Sequence, residues 1–203
     1  MIENFRWRTC KTIGRAVFVV ALLNVPLAGC VGMVIGAGAT AGVAALEERT
    51  AKVIAKDTTI ATEIRLNLLN ANEKLMTGIG VEVYQSHVLL TGVVPTEALR
   101  ADAVQLAWKV AEVNDVYNEI QIADASLIDF ASDSLITAKL TSTLTFDRDV
   151  QAINYNIETV NGTVYLIGMA QSQQELDRVL AHTRGIGGVQ RIINHMLIKK
   201  AGS

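Results

Sequence analysis

The chain repeats itself at a spacing of 76 residues, and this internal repeat constrains its fold more than any other feature. A shift of 76 positions superposes Gly92 on Gly168 and Asn118 on Asn194 without a gap. The other matched positions are apolar or acidic: Asp57/Asp133, Ile60/Ile136, Ile64/Leu140, Leu68/Leu144, Val81/Ile157, Val88/Val164, Leu90/Leu166, Val113/Val189, Val116/Ile192 and Ile122/Ile198. A constant period indicates a duplicated structural unit. We therefore expect a first domain at 57–123, a linker at 124–131 and a second domain at 132–199.

Each copy of the repeat has the pattern of an αββαβ unit. Apolar residues recur every four positions after Asp57 and Asp133, which are predicted to be the N-caps of the first helices. Two runs of alternating polarity follow, and Asn161-Gly162 between them in the second copy is a strong hairpin signal. A second helix and a last strand complete each copy.

The predicted fold class is α+β. Each domain is expected to be a three-stranded sheet with two helices on one face, because that arrangement buries the apolar stripes of the helices. A single copy of this size has a small core, so packing between the two copies is also expected.

The N-terminal 29 residues have the composition of an export signal. A basic segment is followed by a short apolar run, which ends at Leu27-Ala28-Gly29-Cys30. This string resembles the lipobox of bacterial lipoproteins, which implies cleavage before Cys30 and acylation of its thiol. The family rule for the following residue, here Val31, favours the outer membrane, with the chain facing the periplasm. Residues 30–56 are then the lipidated cysteine and a Gly/Ala-rich spacer; the alternative is an uncleaved transmembrane helix at 16–46.

The strand and turn motifs of both copies resemble the BON domain. The first copy has Val88-x-Leu90-x-Gly92, and the second has the same spacing followed by Gly188-Val189-x-x-Ile192-x-Asn194. The first copy departs at Glu112, where the family has Gly, so a different final turn is expected there. Two such domains behind a lipobox are similar to the dual-BON outer-membrane lipoproteins associated with division and stress. That resemblance implies binding of anionic phospholipid and support of envelope integrity.

The sequence offers no residues for catalysis. His87, His182 and His195 lack the spacing of metal ligands, and no phosphate-binding loop or nucleophile elbow is present. Removal of residues 1–29 leaves 14 basic and 19 acidic residues, which does not favour nucleic acid as a partner. We expect a protein that is not an enzyme and has no cofactor and no metal.

The second copy is the better candidate for a membrane contact. Residues 132–203 contain seven basic and six acidic residues, whereas residues 57–123 contain four and nine. Leu135, Lys139 and Ser142 fall on one flank of the first helix of the second copy, and with Arg148 they are the predicted contacts to anionic phospholipid. The first copy has other residues at the three helical positions: Thr59, Glu63 and Leu66.

Two other interpretations remain open at this stage. Leu135 could simply pack at the start of the helix while Lys139 is solvated. The chain could also be a periplasmic adaptor that docks outer-membrane assembly proteins. Binding of a glycan ranks last, because exposed aromatic residues are scarce.

Overall fold

A computed structural model describes residues 47–124 and 129–200 of the chain. The predicted signal peptide, Cys30 and the spacer up to residue 46 lie outside the described residues, so these assignments stay predictions. The last residues of the predicted spacer are helical, since the first described helix begins at Ala51.

The two copies contain the same succession of elements. The first consists of α1 (Ala51–Ala71), α2 (Glu73–Gly78), β1 (Ile79–Tyr84), β2 (His87–Val94), α3 (Glu97–Trp108), β3 (Asp115–Asn118) and β4 (Gln121–Ile122). The second consists of α4 (Phe130–Phe146), a short 3₁₀ turn (Ala152–Asn154), β5 (Tyr155–Val160), β6 (Thr163–Ala170), α5 (Gln173–Gly185) and β7 (Arg191–Ile198).

The central strand of each sheet has an antiparallel neighbour on one side and a parallel neighbour on the other. β2 is antiparallel to β1 and parallel to β3 and β4, and β6 is likewise antiparallel to β5 and parallel to β7. In the first copy the last strand is interrupted between Asn118 and Gln121, which separates β3 from β4. The two long helices of each copy pack on one face of its sheet, where they enclose a largely aliphatic core. The predicted α+β fold with two tandem units is confirmed.

Two buried aspartates connect the first helix of each copy to its hairpin. The carboxylate of Asp133 accepts hydrogen bonds from the backbone N–H groups of Asn161 and Gly162, at 2.7 and 2.9 Å. Asp57 accepts equivalent bonds from Gln85 and Ser86, both at 2.9 Å. An ionised acceptor strengthens such bonds, and burial makes their loss costly. Each aspartate therefore holds a turn against a helix.

The N-caps predicted from the sequence are wrong. Asp57 and Asp133 lie inside α1 and α4, and the actual N-caps are Thr50 and Asp129, whose side chains accept hydrogen bonds from Val53 and Ser132. The sequence pattern was misleading because an aspartate near the start of an apolar stripe is typical of a cap. Here the carboxylate bonds to a hairpin that is distant in sequence.

The hairpin turns are alike although only one has the expected residues. The φ angles are 51° and 69° at Asn161 and Gly162, and 49° and 66° at Gln85 and Ser86. Positive φ at both central residues is the feature of a type I′ turn, which suits a two-residue hairpin. The bonds to Asp57 help to hold two non-glycine residues in this conformation.

Positions 92 and 168 have no room for a side chain, so both require glycine. Both have positive φ, and a Cβ atom at Gly92 would lie 2.1 Å from the carbonyl oxygen of Gly78. At Gly168 the corresponding distance, to the carbonyl oxygen of Asn154, is 2.0 Å. The family motif therefore needs glycine here because the chain before β1 or β5 passes directly over it.

The central strands are buried on both faces, which differs from the alternation predicted for them. In β2 only His87 and Gly92 are partly exposed, and in β6 only Met169 is. One face of each sheet lies under its own helices. The opposite faces pack against each other through Tyr84, Leu89, Val93, Val160, Tyr165 and Ile167. The two sheets thus form the middle of a four-layer arrangement, with helices outside.

Polar contacts surround this interface between the two copies. His195 stacks on Tyr117 with ring centroids 4.2 Å apart, and its Nε2 atom lies 2.9 Å from Oε1 of Glu119. The amide of Gln121 donates to the hydroxyl of Tyr165 at 3.1 Å. These contacts join the last strand of the first copy to the sheet of the second.

We expect Asp133→Ala to lower the free energy of unfolding by about 3 kcal/mol, because two buried N–H groups lose a charged acceptor. Asp129→Ala, which removes only an N-cap, should cost about 1 kcal/mol. Urea unfolding followed by circular dichroism measures both. Equal losses in the two variants would contradict the role of Asp133 as the link between helix and hairpin.

We also expect Glu112→Gly to stabilise the protein. The φ angle of Glu112 is 65° and that of its equivalent Gly188 is 97°, so the different final turn expected from the sequence is not observed. A non-glycine residue is strained there, by roughly 1 kcal/mol. The exposed ion pair of Glu112 with Lys56, at 2.9 Å, offsets only part of this. Thermal denaturation should show a higher Tm, and a lower Tm would contradict the strain.

Candidate functional site

Three of the four predicted contact residues of the second copy lie on the outer surface of α4. Leu135 is 54% exposed, and Lys139 and Ser142 are exposed beside it at helical spacings of four and three residues. The opposite side of the helix carries the buried Ile136, Leu140 and Leu144. The structure therefore brings these three predicted residues to one solvent-facing stripe.

The most exposed apolar residue of this stripe was not predicted from the sequence. Phe146, at the C-terminal end of α4, is 83% exposed. It follows Ser142 by four positions, so the helical periodicity that selected Leu135 and Lys139 could have found it. We call Leu135, Lys139, Ser142 and Phe146 the α4 stripe. The first copy has Thr59, Glu63, Leu66 and Asn70 at the equivalent positions.

Arg148 lies outside the helix, in the turn that follows Phe146, and it is exposed. Its acidic neighbours have other partners. Asp147 lies 2.6 Å from Nε2 of His182, and the hydrogen bond from this ring lowers the pKa of the Asp147 carboxyl. Asp149 lies 2.9 Å from the guanidinium of Arg178. Within residues 47–124 and 129–200, no ion pair is formed by Arg148 or by Lys139, so both charges are available at the surface.

The first copy has a different surface. Glu63 replaces the lysine of the α4 stripe, and the exposed apolar residues of α1 are Leu66 and Leu69, both 50% exposed. Trp108 at the end of α3 is also half-exposed. The duplicated helices thus share their buried face and differ on the face that meets solvent.

The histidines are partly buried side chains with protein partners. His87 stacks on Tyr117 with ring centroids 6.1 Å apart, while His182 and His195 pair with Asp147 and Glu119. In the part of the chain that the structure describes, no group of three or more residues is placed to hold a metal ion. None of the described helices is both long and apolar enough to cross a bilayer.

A cavity of about 690 Å³ opens between the two copies. It is lined by the start of β1 and the end of β2 from the first copy, and by Asp133 and the end of β5 from the second. Glu158 of β5 faces this cavity. Burial raises the pKa of Glu158 to about 7, and the negative charges of Glu82 and Asp133 act in the same direction.

Family and sequence comparisons agree with this architecture. The BON domain model matches residues 56–124 and 132–200, so the resemblance found in the strand motifs is confirmed. An uncharacterized protein of Anaplasma centrale is 35% identical over 138 residues, which cover 67% of this chain and 91% of that protein. The outer membrane lipoprotein DolP of Haemophilus influenzae is 32% identical over 170 residues, with 82% and 87% covered. The osmotically-inducible protein Y of Escherichia coli is 28% identical over 146 residues, with 70% and 73% covered.

The raised pKa of Glu158 predicts a pH-dependent stability. The folded protein holds the proton of this carboxyl to about pH 7, whereas an unfolded glutamate releases it near pH 4.5. The free energy of unfolding should therefore fall as the pH rises from about 4.5 to 7, and stay lower above pH 7. Glu158→Gln should flatten this decrease in urea titrations at a series of pH values. An unchanged slope in the variant would contradict the assignment.

Proposed function

Because the chain belongs to the BON-domain family and carries two copies of the domain, we propose that it is a non-catalytic outer-membrane lipoprotein that binds anionic phospholipid through its second domain and thereby supports envelope integrity. Its similarity to a protein named outer membrane lipoprotein DolP supports the proposed location in the outer membrane. The predicted acylation of Cys30 would supply the permanent anchor, since several acyl chains at one site anchor stably.

The α4 stripe is the observation that carries the lipid-binding proposal. Exposing Phe146 to water is unfavourable, and an aromatic ring gains free energy when it enters the boundary between headgroups and acyl chains. Lys139 lies on the same stripe, and an anionic surface attracts each such charge by roughly 1 kcal/mol. An apolar residue at the end of a helix, with a cation on the same face of that helix, is suited to the surface of an anionic membrane.

The differences between the copies support the assignment to the second domain. At the position of Lys139 the first copy has Glu63, which an anionic surface would repel, and at the position of Phe146 it has Asn70. The net charge of the two domains differs in the same direction. The first domain has nine acidic and four basic residues, whereas the second has six acidic and seven basic residues. Electrostatic attraction and insertion of an aromatic side chain at the end of the first helix are therefore expected together on the second domain.

Liposome co-sedimentation tests the proposal. The chain is prepared without residues 1–29 and with Cys30→Ser, so that no lipid anchor contributes; we refer to this as the unlipidated chain. We expect it to bind vesicles that contain phosphatidylglycerol, more weakly at higher salt, and not to bind vesicles of phosphatidylcholine alone.

Variants that place first-copy residues in the α4 stripe identify the contact. Lys139→Glu changes the charge by two units and should weaken binding about 30-fold, and Phe146→Asn should weaken it roughly tenfold. Lys52→Glu, the same reversal on the exposed surface of α1, serves as the matched control and should have little effect. Absence of binding, or equal losses in the Lys52 and Lys139 variants, would refute a lipid contact at α4 and favour the docking of assembly proteins.

A further inference from the structure

The packing of the two copies creates two grooves with equivalent linings. In each groove the hairpin end of one copy lies beside the opposite end of the other copy. One groove is the 690 Å³ cavity, where Asp133 and Val160 meet Gly78 and Pro95. A shift of 76 residues converts these residues into those of the other groove: Asp57, Tyr84, Asn154 and Gln171.

The second groove is occupied in part by the chain itself, and a smaller cavity of about 500 Å³ remains beside Glu48 and Lys199. We call it the filled groove, and we call the 690 Å³ cavity the open groove. Residues 47–49, which precede α1, lie across both copies. The backbone N–H of Glu48 donates to Asn154 at 2.8 Å, and its carboxylate pairs with Lys199 at 3.0 Å. These contacts hold the segment against the second copy.

Arg49 carries the contacts of this segment with the first copy. Its guanidinium lies 3.2 Å from the carboxylate of Asp57 and 4.5 Å from the centre of the Tyr84 ring. It also donates to the carbonyl oxygen of Val83 at 3.5 Å. An arginine on the segment before α1 thus neutralises the aspartate that holds the hairpin.

The cavity lies at the position where the second copy lacks a side chain equivalent to Arg49. The residue equivalent to Arg49 in the sequence is Ala125, which has no cationic side chain. The side chains that line the cavity are also smaller than their equivalents in the other groove. The pairs, with the cavity residue first, are Gly78/Asn154, Gly80/Asn156, Pro95/Gln171 and Val160/Tyr84. The resulting volume lies within the usual range of ligand sites.

Two carboxylates of the open groove lack, within the described residues, the partners that the equivalent carboxylates of the filled groove have. Glu82 in the filled groove accepts a hydrogen bond from Asn156 at 2.7 Å and lies 3.9 Å from the guanidinium of Arg65. Glu158 has no hydrogen bond and no ion pair within the described ranges 47–124 and 129–200. Asp133 is bonded to its hairpin but, within the same ranges, lies against no cation.

A buried hydroxyl group points to a missing ligand independently of the carboxylates. Thr91 lines the cavity and is fully buried, and its Oγ1 atom has no hydrogen-bond partner among the residues that the structure describes. The equivalent residue of the second copy is the apolar Ile167. Since a buried polar atom without a partner is costly, the open groove contains a polar group that a ligand could satisfy.

We propose that the open groove binds an extended segment of a partner protein through an arginine side chain, which takes at Asp133 and Glu158 the place that Arg49 takes at Asp57. Among the described residues of the lining, Asp133 and Glu158 outnumber the one lysine, Lys74, so the groove favours a cation. The surrounding Ile79, Val93 and Val160 accept the aliphatic part of the side chain. This site is separate from the α4 stripe, and it does not depend on membrane binding.

The chain's own segment supplies the probe. A fluorescent peptide with the sequence of residues 44–52 is titrated into the unlipidated chain, and binding is followed by fluorescence anisotropy. We expect saturable binding, and at least tenfold weaker binding of a control peptide with Arg49→Gln, because the charged hydrogen bonds are lost. In the protein, Glu158→Gln should weaken the wild-type peptide about tenfold.

Two protein variants distinguish the grooves. Glu82→Gln makes the same change at the equivalent position of the filled groove and should leave peptide binding unchanged. Val160→Tyr introduces the ring that Tyr84 has in the filled groove and should prevent binding; circular dichroism verifies that each variant is folded. Liposome binding by Glu158→Gln should equal that of the parent chain.

Three results would overturn the proposal. The first is the absence of peptide binding. The second is a loss on Glu82→Gln as large as that on Glu158→Gln, which would mean that the peptide displaces the chain's own segment from the filled groove. The third is binding of arginine amide as tight as that of the peptide, which would mean a site for a small cation.

Discussion

The central strands β2 and β6 are buried on both faces, and the rest of the structure depends on this. The helices of each copy cover only one face of its sheet. The other face carries Tyr84 and Leu89 in the first copy, and Tyr165 and Ile167 in the second, which would be exposed if the copies separated. Packing the two sheets together removes both apolar faces from water, and burial of this kind is the dominant favourable contribution to folding. The repeat is therefore a pair in structure as well as in sequence.

This pairing has a consequence for how the two copies diverged. A packed pair related by an approximate repeat has two equivalent grooves at its interface, and each groove contains one of the buried aspartates that hold a hairpin. Asp57 is paired with Arg49 from the chain itself, while Asp133 has the same backbone contacts but, within residues 47–124 and 129–200, no ion pair with a cation. The two copies also differ on their first helices, where only the second carries Lys139 and Phe146. We therefore propose a different ligand for each of these two sites: lipid at the α4 stripe, and a polypeptide segment at the groove that contains Asp133.

The sequence predicted the fold well where a local pattern was sufficient. The 76-residue repeat, the apolar stripes and Asn161-Gly162 led to the correct order of elements, because periodicity and turn preferences depend on neighbouring residues. Asp57 and Asp133 were misassigned as caps because their partners lie 28 and 29 residues away. Phe146 was missed because an apolar residue at the end of a helix is usually buried, and its exposure depends on what packs around it.

The sequence by itself determined that the chain is a duplicated αββαβ unit of the BON type, and that its second copy is the more basic one. It also singled out Leu135 and Lys139, since both lie off the apolar stripe of a helix. Only the tertiary structure decided that the sheets pack face to face, that Arg49 pairs with Asp57 in one groove, and that no described residue supplies such a cation to Asp133 in the equivalent groove. The physical reason is range: periodicity and charge can be counted along the chain, whereas burial on a second face and the loss of a charged partner arise from residues far apart in sequence.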